Sequence, residues 1–130
     1  MGTIERIRVP DHLPEPISHY TDGVAAGGWI WVSGMLALDQ DGKLVGGDDV
    51  VAQAEKVFDN IGAVLAAAGA SSKDVVKVTL FLTDIDDRPK INPVRQRFFG
   101  ETRPASTLVE ISKLAIPGAK IEVEAVAVLP

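Results

Sequence analysis

One helical stripe constrains this chain more than any other feature. Between Asp48 and Gly69, apolar residues recur at Val50, Val51, Ala54, Val57, Phe58, Ile61, Val64, Leu65 and Ala68. That three-and-four spacing places them on one face of an α-helix. Such a helix is stable only when the face is covered, because most helical stability in proteins comes from packing. Asp48 or Asp49 is placed to cap the first turn, and Gly69 to end the helix in the left-handed conformation. At about 1.5–3 kcal/mol per large buried side chain, this face is a main source of stability. Glu55, Lys56 and Asn60 form its polar face and are expected in water.

The cover is supplied by strands. In "DVVKVTLFLTD" the residues Val76, Val78, Leu80 and Leu82 alternate with Val75, Lys77, Thr79, Phe81 and Thr83, giving a strand with a fully apolar face. Ahead of the helix, Ile4, Ile7 and Val9 mark a short first strand, and the prolines of "PDHLPEP" predict an irregular loop with His12 in solvent. "GVAAGGWIWVSG" reads as a hairpin turning at Gly27 and Gly28, and "LDQDGKLV" holds another turn at Asp41 and Gly42. Trp29 and Trp31 share one face, as core or interface.

A second helix is predicted from Ile91, Val94 and Phe98. Proline is unfavourable deep in a helix, so the expected start has Asn92 as cap and Pro93 first, with an earlier turn from Asp87 as the alternative. "ASTLVEI" and "KIEVEAVAVL" close the chain as strands, the former read as short and buried. The order gives an α+β fold: one domain over residues 1–130, a mixed β-sheet with two helices packed on one face. In the last strand Ile121, Val123, Ala125, Ala127 and Leu129 face one way, and Glu122, Glu124, Val126 and Val128 the other. With apolar residues on both faces and no third helix, the helix-free face calls for a second copy of the chain.

Charge and composition narrow the function. The net charge of −5 disfavours nucleic acid and anionic membranes as partners. The chain has no cysteine, which removes disulfides and thiolate chemistry and fits a cytoplasmic location. The charged start "MGTIERIRVP" does not read as a signal peptide, and no apolar run approaches the ~20 residues of a membrane helix.

"SHYTDGV", "WVSG", "VFDNIGAVLAAAGAS", "DVVKVTLFLTDIDD", "RPASTLVEI" and "IEVEAVAV", in this order and spanning nearly the whole chain, resemble the YjgF/Rid family. The resemblance implies a chorismate-mutase-like fold and a trimer with a barrel-like core and ligand clefts between subunits. It also implies hydrolysis of a small reactive enamine or imine to a carbonyl compound and ammonia, with no cofactor and no metal. Carried over by position, Tyr20 matches the family's cleft tyrosine, Ser33 and Gly34 its small cleft wall, Asn92 an asparagine near the pocket, and Glu122 a carboxylate proposed to orient water.

His19 stands beside Tyr20 as a proton carrier or a solvated loop residue. Glu110 reads as a structural hydrogen-bonding residue. The family's deaminases carry arginine directly after Pro-Ala as a substrate-carboxylate anchor, whereas this chain has Ser106 after Pro104 and Ala105. The anchor then comes from Arg95, Arg97 or Arg103, or the substrate lacks a carboxylate there, or the chain binds without turning over. The expected activity is therefore deamination with an altered substrate preference. A binding or regulatory trimer is the alternative, and the ribonuclease or translation-inhibitor activity of some relatives ranks last given the acidic charge.

Overall fold

The computed structural model describes residues 2–130. Its strands are β1 (Ile4–Ile7), β2 (Gly23–Ala26), β3 (Trp29–Met35), β4 (Val75–Leu82), β5 (Ala105–Glu110) and β6 (Ile121–Val128), and its helices are α1 (Val50–Ala67) and α2 (Arg88–Phe99). They form one mixed sheet in the order β1-β2-β3-β6-β4-β5. Only the β4–β5 pair is parallel, and α2 is its crossover.

Sheet and helices meet along the apolar faces. Ile30, Val78, Leu80, Leu82, Ile121, Val123 and Ala127 are completely buried with Val57, Ile61, Val64 and Leu65 of α1. Phe58 stacks with Phe98 and Phe99 where α1 meets α2. The Asp49 carboxylate accepts the backbone N–H groups of Val51 (2.9 Å) and Ala52 (3.3 Å), so Asp49 is the cap. At the far end Gly69 has φ +82°, with Gly69 N–H bonded to Ala66 O and Ala70 N–H to Leu65 O, the paired closure that a left-handed residue permits. The β2–β3 turn places Gly27 and Gly28 at positive φ between the paired residues Ala26 and Trp29, as a two-residue hairpin requires.

Several expectations are corrected. Helix α2 starts at Arg88, with Asp87 as its cap residue, and carries Pro93 in its interior. A 3-10 turn, Ile85–Asp87, leads directly into it, and the buried Ile91, Val94 and Phe99 hold it on the core despite the lost N–H. Asn92 is therefore a mid-helix residue and not the cap. In β4 a register shift against β6 between Val75 and Lys77 turns Val75 into the core and leaves Val76 exposed. Strand β5 is an edge, paired on one side only, and just Leu108 is half-buried within the protomer. His12 is half-buried too, its Nε2 lying 2.9 Å from Asp59 Oδ2 without the alignment of a hydrogen bond.

The remaining correction concerns α1. Asn60 is fully buried, its amide donating to Leu36 O and Leu38 O at 3.0 Å each. Gln53 is equally buried, donating to Gly47 O and Gly118 O and accepting from Lys120 N–H. Both amides satisfy backbone groups of segments outside the six strands, which is why polar side chains sit inside.

Candidate functional site

The site begins with an irregularity in β3. Pairing with β6 shifts register between Val32 and Met35, taking Ser33 and Gly34 out of the ladder. Ser33 is recovered by other partners: its N–H donates to Asp22 O (3.0 Å) and its hydroxyl to Thr21 O (2.6 Å). Gly34 faces Glu122 so closely that a Cβ there would lie 2.9 Å from Glu122 Cδ and 3.1 Å from Oε1. A side chain at residue 34 would push the Glu122 carboxyl aside, and the backbone angle does not call for glycine, since its φ is not positive.

Glu122, half-buried on β6, lines a cleft of about 420 Å³ with Tyr20, Ser33, Gly34, Phe81 and Glu124. Burial raises the Glu122 pKa above the ordinary carboxylate value, and repulsion from Glu124 adds to the effect. A carboxylate so placed holds its proton nearer neutrality, which suits proton transfer. The residues from Leu13 to Ser18 form the other wall. That segment is tied down by Arg8, which bonds Glu15 at 3.1 Å and the buried Asp22 at 3.2 Å, while Asp22 also accepts the Val9 N–H.

Tyr20, Ser33, Gly34 and Glu122 therefore come together as the sequence reading paired them. His19 is exposed and does not line the cleft. Asn92 and Arg95 lie in a different depression of the same protomer, bounded by α2 and the residues before β5. There Arg95 Nη2 donates to Ser106 Oγ at 2.8 Å. Glu110 accepts the Ile85 N–H at 3.0 Å, a structural bond. Asn60 also lines the Glu122 cleft, and its Oδ1 is buried without a partner. Sequence spacing placed it in solvent, and only the unpaired carbonyls of residues 36 and 38 could have signalled otherwise. Among the described residues no cluster of three or more His, Cys, Asp or Glu could hold a metal ion, and no helix is long and apolar enough to cross a membrane.

Fold and site define a small α+β domain with a cleft walled by the carboxylates Glu122 and Glu124. The model of the family described as Endoribonuclease L-PSP matches residues 11–129, and the chain belongs to this family, the YjgF/Rid proteins. A RutC family protein of Pyrococcus abyssi is 43% identical, the match covering 90% of this chain and 91% of that one. The 3-aminoacrylate deaminase RutC of Acinetobacter baylyi is 37% identical over 95% of this chain and 97% of its own. Among solved structures, E. coli TdcF with bound serine superposes with a TM-score of 0.88 at 32% identity, covering 97% of this chain and 99% of that chain.

Proposed function

We propose that this protein hydrolyses a small reactive enamine or imine to a carbonyl compound and ammonia, as a homotrimer with the site between subunits. The observation that carries the reading is Glu122, a half-buried carboxyl with raised proton affinity set against Gly34 in a small, mainly apolar cleft. The names of relatives, among them a 3-aminoacrylate deaminase, point to the same chemistry.

The chemistry asks little of the protein. An enamine takes a proton at carbon to become an imine, water adds to C=N, and the C–N bond breaks to release ammonia. Each step moves a proton, so one group that both gives and takes protons near neutrality, with a positioned water, suffices. Glu122 fills that role, and Tyr20 and Ser33 position the substrate. Asn92 and Ser106 lie outside the Glu122 cleft of their own protomer, so in the proposed trimer any part they play comes from a neighbouring copy. Support for assembly comes from the helix-free face, where Trp29, Trp31, Val109 and Val128 are exposed, apolar side chains that a second copy of the chain would cover.

The test is ammonia release from freshly generated 2-aminoacrylate and from a small neutral imine. Turnover of either, lost in Glu122→Gln, supports the reading; turnover of neither rejects it.

A further inference from the structure

The cleft beside Glu122 carries negative charge that its own lining does not balance. Glu15, Asp22, Glu122 and Glu124 line it, and among the described residues no lysine, arginine or histidine does. Arg8, which is not part of the lining, pairs with Glu15 and Asp22. Glu122 and Glu124 have no ion-pair partner among the described residues. Lys77 shares another depression with Glu124, yet its ammonium donates to Thr107 Oγ1 at 2.7 Å. Arg95 and Arg103 line the depression by α2, and Arg97 leans toward Glu55 of α1 at 3.9 Å, so none of these arginines lines the Glu122 cleft of its own protomer.

The hydrogen-bonding groups have the same bias. Asn60 lines the cleft and is completely buried, and its amide nitrogen is committed to Leu36 O and Leu38 O, which leaves Oδ1 without a partner. A buried acceptor in a folded protein normally has a donor, and here the donor is left to the occupant of the cleft. Ser33 commits its hydroxyl hydrogen to Thr21 O at 2.6 Å and has only lone pairs left for a ligand. With Glu122 ionised, the side-chain donors that remain, on Ser18 and Tyr20, are neutral hydroxyls. An anion entering this lining loses its water and meets like charge, whereas an N–H cation finds carboxylates and an acceptor that have no other partner. Burial and repulsion from Glu124 raise the proton affinity of Glu122, and a bound cation relieves both penalties.

We propose that the cleft selects a small N–H cation without a carboxylate, the protonated form of a simple imine, held by Glu122 and Asn60 Oδ1 with the charge of Glu124 in support. This rests on the deaminase reading for the reaction, though not for the binding. One water converts the iminium to the carbonyl compound and ammonium, so the ligand keeps its charge from substrate to product.

Binding is read first, by calorimetric titration of the full chain at pH 7 with acetamidinium chloride, a stable cation of iminium shape, with sodium 2-oxobutanoate, and with sodium chloride as control. Acetamidinium should bind and 2-oxobutanoate should not. Glu122→Gln should weaken acetamidinium binding about tenfold to a hundredfold, and Glu124→Gln, at an exposed residue, should weaken it less. No acetamidinium binding, or an affinity unchanged in both variants, overturns the proposal. Equal or tighter binding of 2-oxobutanoate also overturns it, since a cation from outside this lining then reaches the cleft. If Glu122→Gln does not fold, Glu124→Gln decides in the same way. Turnover is read second: kcat/KM of the wild type should be higher for a small carboxylate-free ketimine than for 2-aminoacrylate. The reverse order overturns the cation preference and leaves the deaminase reading standing. Turnover of neither rejects the deaminase reading, and the titrations alone then decide the proposal.

Discussion

A methyl group on Gly34 would sit 2.9 Å from Glu122 Cδ, inside the distance at which two carbon atoms begin to repel. The two residues lie on neighbouring strands, and the bulge in β3 brings them face to face. Gly34→Ala should therefore displace the Glu122 carboxyl while leaving the core intact. A misplacement of about 1 Å can lower a rate about a hundredfold, so the expected result is a loss of that order in ammonia release with a melting temperature close to the wild type.

Glu122→Gln separates stability from activity. The folded-state pKa of Glu122 is raised above its ordinary value of 4.5, so its contribution to stability is full below that value and is lost as pH climbs through the raised one. At neutral pH the ionised group destabilises the fold. Glutamine carries no charge there, so the variant should melt at a higher temperature than the wild type at pH 7, with a flatter profile between pH 4 and 7. Turnover should fall about 10²–10⁴-fold, the usual share of a general acid or base. Parallel losses of stability and activity would contradict this assignment.

Asn60 holds two loop carbonyls with one amide. Asn60→Leu leaves both without a donor in a dry setting, and each such group costs about 1–3 kcal/mol. A urea midpoint shifted to lower concentration with an unchanged slope is the expected signature.

The cap of α1 offers a smaller, cleaner effect. Asp49→Ala removes the acceptor of two N–H groups and should destabilise by about 0.5–2 kcal/mol. Asp48→Ala, at a residue without that bond, should be close to neutral, and the pair of variants measured together checks the assignment.

Assembly is tested on the face without helices. Trp31 is 45% exposed in the protomer and lies 6.5 Å from Trp29, ring centre to ring centre. Trp31→Lys puts a charge where the proposed trimer buries an aromatic pair. Light scattering should show a smaller species than the wild type, and ammonia release should fall with it, because the proposed site lies between subunits. An unchanged mass would remove the face from the interface.

The legible parts of this protein were those whose signal is local. Helix α1, its cap and its glycine end, the hairpin at Gly27 and Gly28 and the strand pattern of β6 follow from periodicity and backbone preference, which act within a few residues. Of the two starts offered for α2 the structure takes the earlier, at Asp87: Pro93 argues for a boundary on local grounds, while the buried Ile91, Val94 and Phe99 hold the helix across it. Val75 and Val76 exchanged faces for a similar reason, since a bulge is fixed by the neighbouring strand.

Of the site, the grouping of Tyr20, Ser33, Gly34 and Glu122 came from the resemblance to a known family, matched by position, and not from residue types or spacing. What spacing could not decide was which of the candidate arginines meets Ser106, and the structure pairs it with Arg95. It is separated from Ser106 by 11 residues and a crossover, and becomes its neighbour only because α2 packs beside an edge strand.

The sequence alone thus determined most of the elements and the apolar stripes of α1 and β6, because hydrophobic periodicity and turn chemistry are properties of contiguous residues. The tertiary structure decided which polar groups meet: Asn60 with the loop carbonyls, Glu122 with Gly34, Arg95 with Ser106. Those contacts depend on strand register and helix placement, and both are set by the packing of the whole core.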